Sequence, residues 1–177
     1  MPHKAKAITH YDFKPTDNLL LDTNIWLLVY GPQKPKDNRV VVYSQALAKI
    51  FAAQSRIHID VLIVSEFINT YARLKWKLLA PSSKFKTFRQ SSRFKPVAQG
   101  ISADVKRVLQ YCRKVEDDFV LLDMDSLITE YAMGDSDFND QILTSLCKRK
   151  GLKLVTDDED FKGQGIPVIT ANRRLLG

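Results

Sequence analysis

Asn18-Leu19-Leu20-Leu21-Asp22-Thr23-Asn24-Ile25-Trp26 constrains how everything after it must be arranged. The three leucines read as a short buried strand, and Asp22 falls at its carboxyl end. A fresh apolar run, Ile25 to Val29, reads as the start of a helix, with Thr23 or Asn24 as its N-cap. In parallel α/β sheets, ligands gather just beyond the carboxyl ends of strands. A lone Asp there more often caps the next helix than does chemistry. Its meaning therefore depends on which other residues reach the same edge.

The chain alternates strand-like and helix-like patterns. Residues 1–17 read as a flexible leader with no sustained periodicity. The first helix ends near Tyr30, at Gly31-Pro32, and 31–38 reads as a surface loop containing Pro35. Val41, Val42, Ala46, Leu47, Ile50 and Phe51 recur at helical spacing over 40–53. Ile57-His58-Ile59 reads as a brief strand running on into Val61-Leu62-Ile63-Val64. Ser65-Glu66 then opens or sits early in a long helix to about Leu79. A basic and aromatic segment follows Pro81, and 97–115 is helical again. Phe119-Val120-Leu121-Leu122 reads as the third strand and 126–133 as a short helix. A helix spans 138–150 with Gly151 as its C-cap, and 152–155 and 166–170 are the last strands. Strands alternating with helices imply a three-layer α/β/α sandwich around a mainly parallel sheet. The expected organisation is one domain over 18–177, with a basic helical insertion around 81–115.

Composition narrows the setting. At 177 residues, 45% apolar and 27% charged, the chain suits a globular domain with a substantial core. No apolar run is long enough to cross a bilayer, and the N-terminus lacks a secretory signal. Cys112 and Cys147 fall in helix-like patterns without metal-type spacing, which fits a reduced, cytoplasmic setting. His3, His10 and His58 are scattered, against a zinc site. The net charge is +7. Between Arg73 and Lys114 stand twelve Lys and Arg against one acid, Asp104, leaving fifteen basic and nineteen acidic residues elsewhere. Such asymmetry points to a polyanionic partner.

Three further acidic groups could join Asp22. Glu66 follows the second apolar run. Asp140 stands at the start of the helix at 138, behind Asp135 and Asp137. Asp157, Asp158 and Asp160 follow the strand at 152–155 directly. Each has an innocent use as a cap or a solvated loop. Together, a parallel sheet sends all of them to one edge, where uncompensated like charges repel. With no His or Cys nearby, a hard divalent cation, Mg²⁺ or Mn²⁺, is the natural occupant.

Leu-Leu-Leu-Asp22-Thr23-Asn24, Ser65-Glu66-Phe67, Phe138-Asn139-Asp140-Gln141-Ile142 and Val155-Thr156-Asp157-Asp158-Glu159-Asp160-Phe161 together resemble the PIN-domain nucleases. The chain looks most like their small VapC-type toxin ribonucleases. The resemblance implies Mg²⁺- or Mn²⁺-dependent endonucleolytic hydrolysis of RNA. It also implies a toxin–antitoxin setting, with an antitoxin protein and a homodimer as expected partners. It maps the four catalytic and metal-binding acids to Asp22, Glu66, Asp140 and Asp158. Asp137, Asp157 and Asp160 are the neighbouring alternatives. Thr23, Asn24 and Thr156 match the family's supporting polar positions. The segment 81–96 and the helix after it are long for a minimal toxin.

Substrate binding would then be electrostatic. Arg73, Lys75, Lys77, Lys84, Lys86, Arg89, Arg93 and Lys95 could track a phosphate backbone. Phe85, Phe88 and Phe94 could stack bases, close a small satellite core, or receive an antitoxin segment or second subunit. A haloacid-dehalogenase-type phosphatase needs a second Asp where Asn24 stands. A receiver domain needs an acidic pair where Asp22 stands alone. The rival from another class is a catalytically inactive PIN-like RNA-binding or RNA-processing module.

Overall fold

The computed structural model describes residues 5–32, 36–116, 119–134 and 137–177. In chain order the elements are β1 (Lys6–Ala7), β2 (Asn18–Leu21), α1 (Thr23–Tyr30), α2 (Asn38–Ala52), β3 (Arg56–Ile59), α3 (Val61–Leu79), α4 (Phe85–Gln90), α5 (Phe94–Tyr111), β4 (Cys112–Lys114), α6 (Met124–Ala132), α7 (Phe138–Lys150), β5 (Lys153–Val155), β6 (Val168–Thr170) and α8 (Arg173–Leu176).

The strands form one sheet in the order β1-β6-β5-β2-β3-β4, and every pairing is parallel. After β2 the chain moves outward through β3 to β4, then returns across β2 to build β5 and β6. Right-handed crossovers therefore set α1, α3 and α5 on one face and α7 on the other. The packing of α1 on α3 and of α3 on α5 agrees. This is the three-layer α/β/α arrangement. The direction of winding reverses between β2 and β5, which opens a crevice beyond their carboxyl ends. Leu19, Leu20, Leu21, Leu154 and Val155 are all fully buried. A parallel sheet covered on both faces needs such continuous apolar runs. Among the described residues no helix is long and apolar enough to cross a membrane.

Four expectations need correction. Residues 5–17 are not a flexible leader: β1 pairs with β6, Ile8 and Phe13 are buried, and Asp17 is tied to Lys153. A two-residue strand and a single 3-10 turn leave no periodic signal (residues 1–4 lie outside the described residues). Val61 to Val64 do not extend β3. Asp60 caps the backbone N–H of Leu62 and starts α3 there, so Glu66 sits in its second turn. Four apolar residues carry too little periodicity to separate strand from helix. Phe119–Leu121 is an exposed 3-10 turn, and the sheet is completed instead by β4, which begins at Cys112. β4 is an edge strand with one neighbour, β3, and its Arg113 and Lys114 are the charges that typically blunt an edge. Finally, α2 buries Tyr43, Ala46, Leu47 and Ile50, while Val41 and Phe51 face outward. Of the loop expected over 31–38, residues 33–35 lie outside the described residues.

Candidate acidic site at the sheet's carboxyl edge

Asp22 leaves β2 and caps α1. Its Oδ1 accepts the N–H of Thr23 at 2.6 Å, and its Oδ2 accepts the amide of Asn24 and the hydroxyl of Thr156 at 2.7 Å. The cap and the candidate ligand are thus one residue. Thr156, fully buried at the end of β5, also accepts from Asn24 at 3.1 Å and from the N–H of Asp158 at 3.0 Å. Asn24 closes the ring by accepting the N–H of Asp157 at 3.2 Å. The Thr23 hydroxyl donates to Glu66 at 3.2 Å, joining α3 to the same edge.

The other acids arrive on helix starts. Asp137 caps α7 through the N–H of Asn139 at 2.8 Å, which sets Asp140 in the first turn. Asp158 accepts the N–H of Asp160 at 3.1 Å and caps the turn Glu159–Phe161. Asp135 lies outside the described residues.

Burial raises Asp22 to about 6; the Thr156 hydrogen bond opposes this, and the charges of Glu66 and Asp158 add to it. Burial also raises Asp140, to about 7, reinforced by Asp22, Asp158, Asp137 and Asp160. Glu66 is raised by burial, then by Asp137 and Asp158, against the Thr23 hydrogen bond. The charges that act most on these three groups are all carboxylates. The structure therefore sets Asp22 within electrostatic reach of Glu66, Asp140 and Asp158, with Asp158 acting on all three, Asp137 on Glu66 and Asp140, and Asp160 on Asp140.

Asp157 is engaged elsewhere. Arg39 donates to its Oδ2 at 2.9 Å and Tyr43 to its Oδ1 at 2.8 Å, while Asn172 donates to its backbone carbonyl at 2.7 Å. Arg39 also forks over Asp37, and both carboxylates hold its guanidinium charged. Of the three acids after β5, Asp158 acts on Asp22, Glu66 and Asp140 alike, and Asp160 on Asp140. Sequence reasoning missed Arg39 and Tyr43. Tyr43 lies on the buried stripe of α2 and reads as core, and Arg39 reads as an ordinary helix-start residue.

Among the described residues no three His, Cys, Asp or Glu side chains stand in an arrangement that by itself could hold a metal ion. The donor chemistry nevertheless fits a hard cation. The donors are oxygens, and their mutual repulsion is the cost such an ion removes. Mg²⁺ keeps several waters and needs only one or two carboxylates directly.

The basic residues lie along α3 to α5. Arg73, Lys75 and Lys77 are on α3, Lys84 caps α4, Lys86 and Arg89 are on it, and Arg93 and Lys95 open α5. Arg73 and Arg89 stand 4.8 and 6.0 Å from the ring centre of Phe85, which also packs on Trp76. Phe88 is buried and meets Phe94 edge-on at 5.6 Å. Of the three expected uses, Phe88 serves the satellite core and is closed to base stacking.

The family model described as PIN domain matches residues 19–167. The chain belongs to the PIN-domain family, whose members are generally nucleases. Solved structures agree on the fold. PAE2754 from Pyrobaculum aerophilum superposes with a TM-score of 0.52 at 15% identity, covering 94% of this chain and 92% of that one. VapBC2 from Rickettsia felis, bound to a DNA fragment from its promoter, gives 0.52 at 16% identity over 88% and 98%. No curated protein sequence matches significantly.

Proposed function

We propose that this protein is a Mg²⁺- or Mn²⁺-dependent endoribonuclease and the toxin of a toxin–antitoxin pair. The observation that carries the nuclease reading is that burial raises Asp22, Glu66 and Asp140 together and that the charge of Asp158 adds to all three. Membership of the PIN family supports it. The toxin assignment draws on the resemblance to VapC-type ribonucleases and on the fold shared with VapBC2. An antitoxin and a second copy of the chain are the corresponding partners. The cytoplasm is the corresponding compartment, in keeping with two unpaired cysteines.

Hydrolysis exchanges one ester P–O bond for a bond to water oxygen, leaving a phosphate monoester and a free hydroxyl. A bound divalent cation supplies charge neutralisation at the phosphate and acidifies water. Asp22 and Asp140 would hold it. Glu66 and Asp158 would orient the attacking water, one of them taking its proton as general base. Thr23 fixes the Glu66 carboxylate. Thr156 fixes both Asp22 and the backbone of Asp158. Asp137 sets the register of α7, so that Asp140 enters the site.

The test is cleavage of single-stranded RNA and DNA by the purified protein with Mg²⁺, Mn²⁺ or EDTA. RNA cleavage in either metal, lost in EDTA and in Asp22→Asn, is expected. Undiminished cleavage in EDTA would sink the metal mechanism. RNA binding without cleavage would identify a non-catalytic PIN-like module.

A further inference from the structure

Two troughs meet beside the acidic site, one of them lined by Asp158, and share a wall made of Asn24, Arg39 and Asp157. One is polar, about 530 Å³, and passes Asp158 and Glu159 to reach Asn172 and Arg174. The other, about 360 Å³, lies between α1 and the C-terminal half of α3. Leu27, Leu28, Leu74 and Leu78 line it, with Lys77 beside them. Asn24 donates to Asp22, so the shared wall is one side chain away from the first acid.

We propose that single-stranded RNA crosses this wall, with its phosphates on Arg39 and Arg174 in the polar trough and a base beside the cut in the apolar one. This rests on the nuclease reading and specifies its substrate path. A trough beside Asp157, Asp158 and Glu159 would repel a polyanion without those two guanidinium groups. Both already lie on carboxylates, Arg39 on Asp37 and Asp157, Arg174 on Glu159 with contacts of 2.9 and 3.0 Å. The planar fork that grips a carboxylate also grips a phosphate. Both side chains are more than half exposed, at 52% and 77%, so exchange onto a phosphate needs no unfolding. The apolar trough offers a surface to any base, since every base has an apolar face. A polynucleotide uses both troughs.

The experiment measures binding of a short fluorescein-labelled single-stranded RNA to the full chain carrying Asp22→Asn, by anisotropy across a salt series. Arg39→Gln and Arg174→Gln should each flatten the plot of log K against log salt by about 0.7, the single-strand increment for one phosphate contact. Arg39→Lys should restore most of the slope and guards against a folding defect. Leu78→Ser should weaken binding several-fold with the slope unchanged. Wild-type slopes in both arginine variants, with the loss found instead in Lys84→Gln/Lys86→Gln, would overturn the path. So would a Leu78→Ser effect confined to the sedimentation of the protein alone, which would assign the apolar trough to a protein partner. If these residues govern binding but the native protein cleaves nothing, the path stands and the nuclease reading falls. If the native protein cleaves and the three variants bind as before, the reverse holds.

Discussion

Thr156 donates its hydroxyl to Oδ2 of Asp22 at 2.7 Å, linking the carboxyl ends of β5 and β2. The two strands are neighbours on either side of the point where the sheet reverses its winding. A buried carboxylate beside other carboxylates needs such donors to stay ionised, and the same oxygen of Thr156 accepts the N–H of Asp158. Thr156→Val should therefore cost about 1–3 kcal/mol of stability, the usual range for unsatisfied buried partners. It should also raise Asp22 further, moving the acid limb of the pH–rate profile to higher pH. Thr156→Ser should return both. Urea denaturation and the pH–rate profile check this; a valine variant with an unmoved acid limb would remove the Asp22 link from catalysis.

Stability of the metal-free protein should fall as pH rises from about 4 to 8. Asp22 and Asp140 have folded values near 6 and 7 against 3.8 for the free side chain, and Glu66 is raised as well. Between those values the folded state binds more protons than the unfolded one, so the slope of unfolding free energy with pH is negative. His58 acts the other way, because burial and then Arg113 and Arg56 lower it below 6.5. The acids outnumber it. A net loss is therefore expected, each unit of a group's shift being worth at most roughly 1.4 kcal/mol. Cations bind the deprotonated carboxylates. Mg²⁺ should therefore raise the Tm more at pH 8 than at pH 5. Equal shifts at both pH values would place its binding away from this cluster.

Asp157 and Asp158 are adjacent, but the fold gives them different work. Asp157 is spent on Arg39 and Tyr43, whereas Asp158 raises Asp22, Glu66 and Asp140 through its charge. Asp158→Asn should lower RNA cleavage by about 10²-fold or more, the lower range for removing a general acid–base group. The change should fall on kcat more than on KM. Asp157→Asn should leave kcat within about tenfold and lower the Tm, since it removes the charge that pairs with Arg39 from a half-buried network. The reverse pattern of kcat losses would make Asp157 the fourth acid.

Much of the site was legible because its chemistry sits at element boundaries. The carboxyl end of the three-leucine run Leu19–Leu21 marks Asp22, and the helix start at Phe138 marks Asp140. What stayed hidden depends on tertiary partners. Asp157 and Asp158 are equivalent in sequence, and only Arg39 and Tyr43, more than a hundred residues earlier, distinguish them. β4 was missed because a three-residue edge strand has no buried alternation. Val120, inside the apolar run 119–122 that reads as a strand, is 92% exposed. Apolar residues alone could not show which of two nearby segments the edge of β3 would recruit.

The N-terminal segment shows how a stretch without periodicity can still be fixed. Asp17 is buried just ahead of β2 and accepts from Lys153, Tyr11 and the N–H of Lys14. Burial alone would raise its carboxyl; Lys153 and the backbone N–H outweigh that and hold it below 3.8. This stability is present above pH 3.8 and is lost as pH falls through the lower folded value. Lys153→Met leaves the buried carboxylate without its cation and should cost about 2–4 kcal/mol, the roughly 3–5 kcal/mol for breaking a buried pair being reduced by the partial exposure of Lys153. Asp17→Asn combined with Lys153→Met should recover part of the loss, because no unpaired charge then remains. Hydrogen exchange should rise first in β1 and β6, where the segment joins the sheet. A Lys153→Met variant within about 0.5 kcal/mol of the parent, the span of ordinary surface changes, would leave Ile8 and Phe13 as the anchors of the segment.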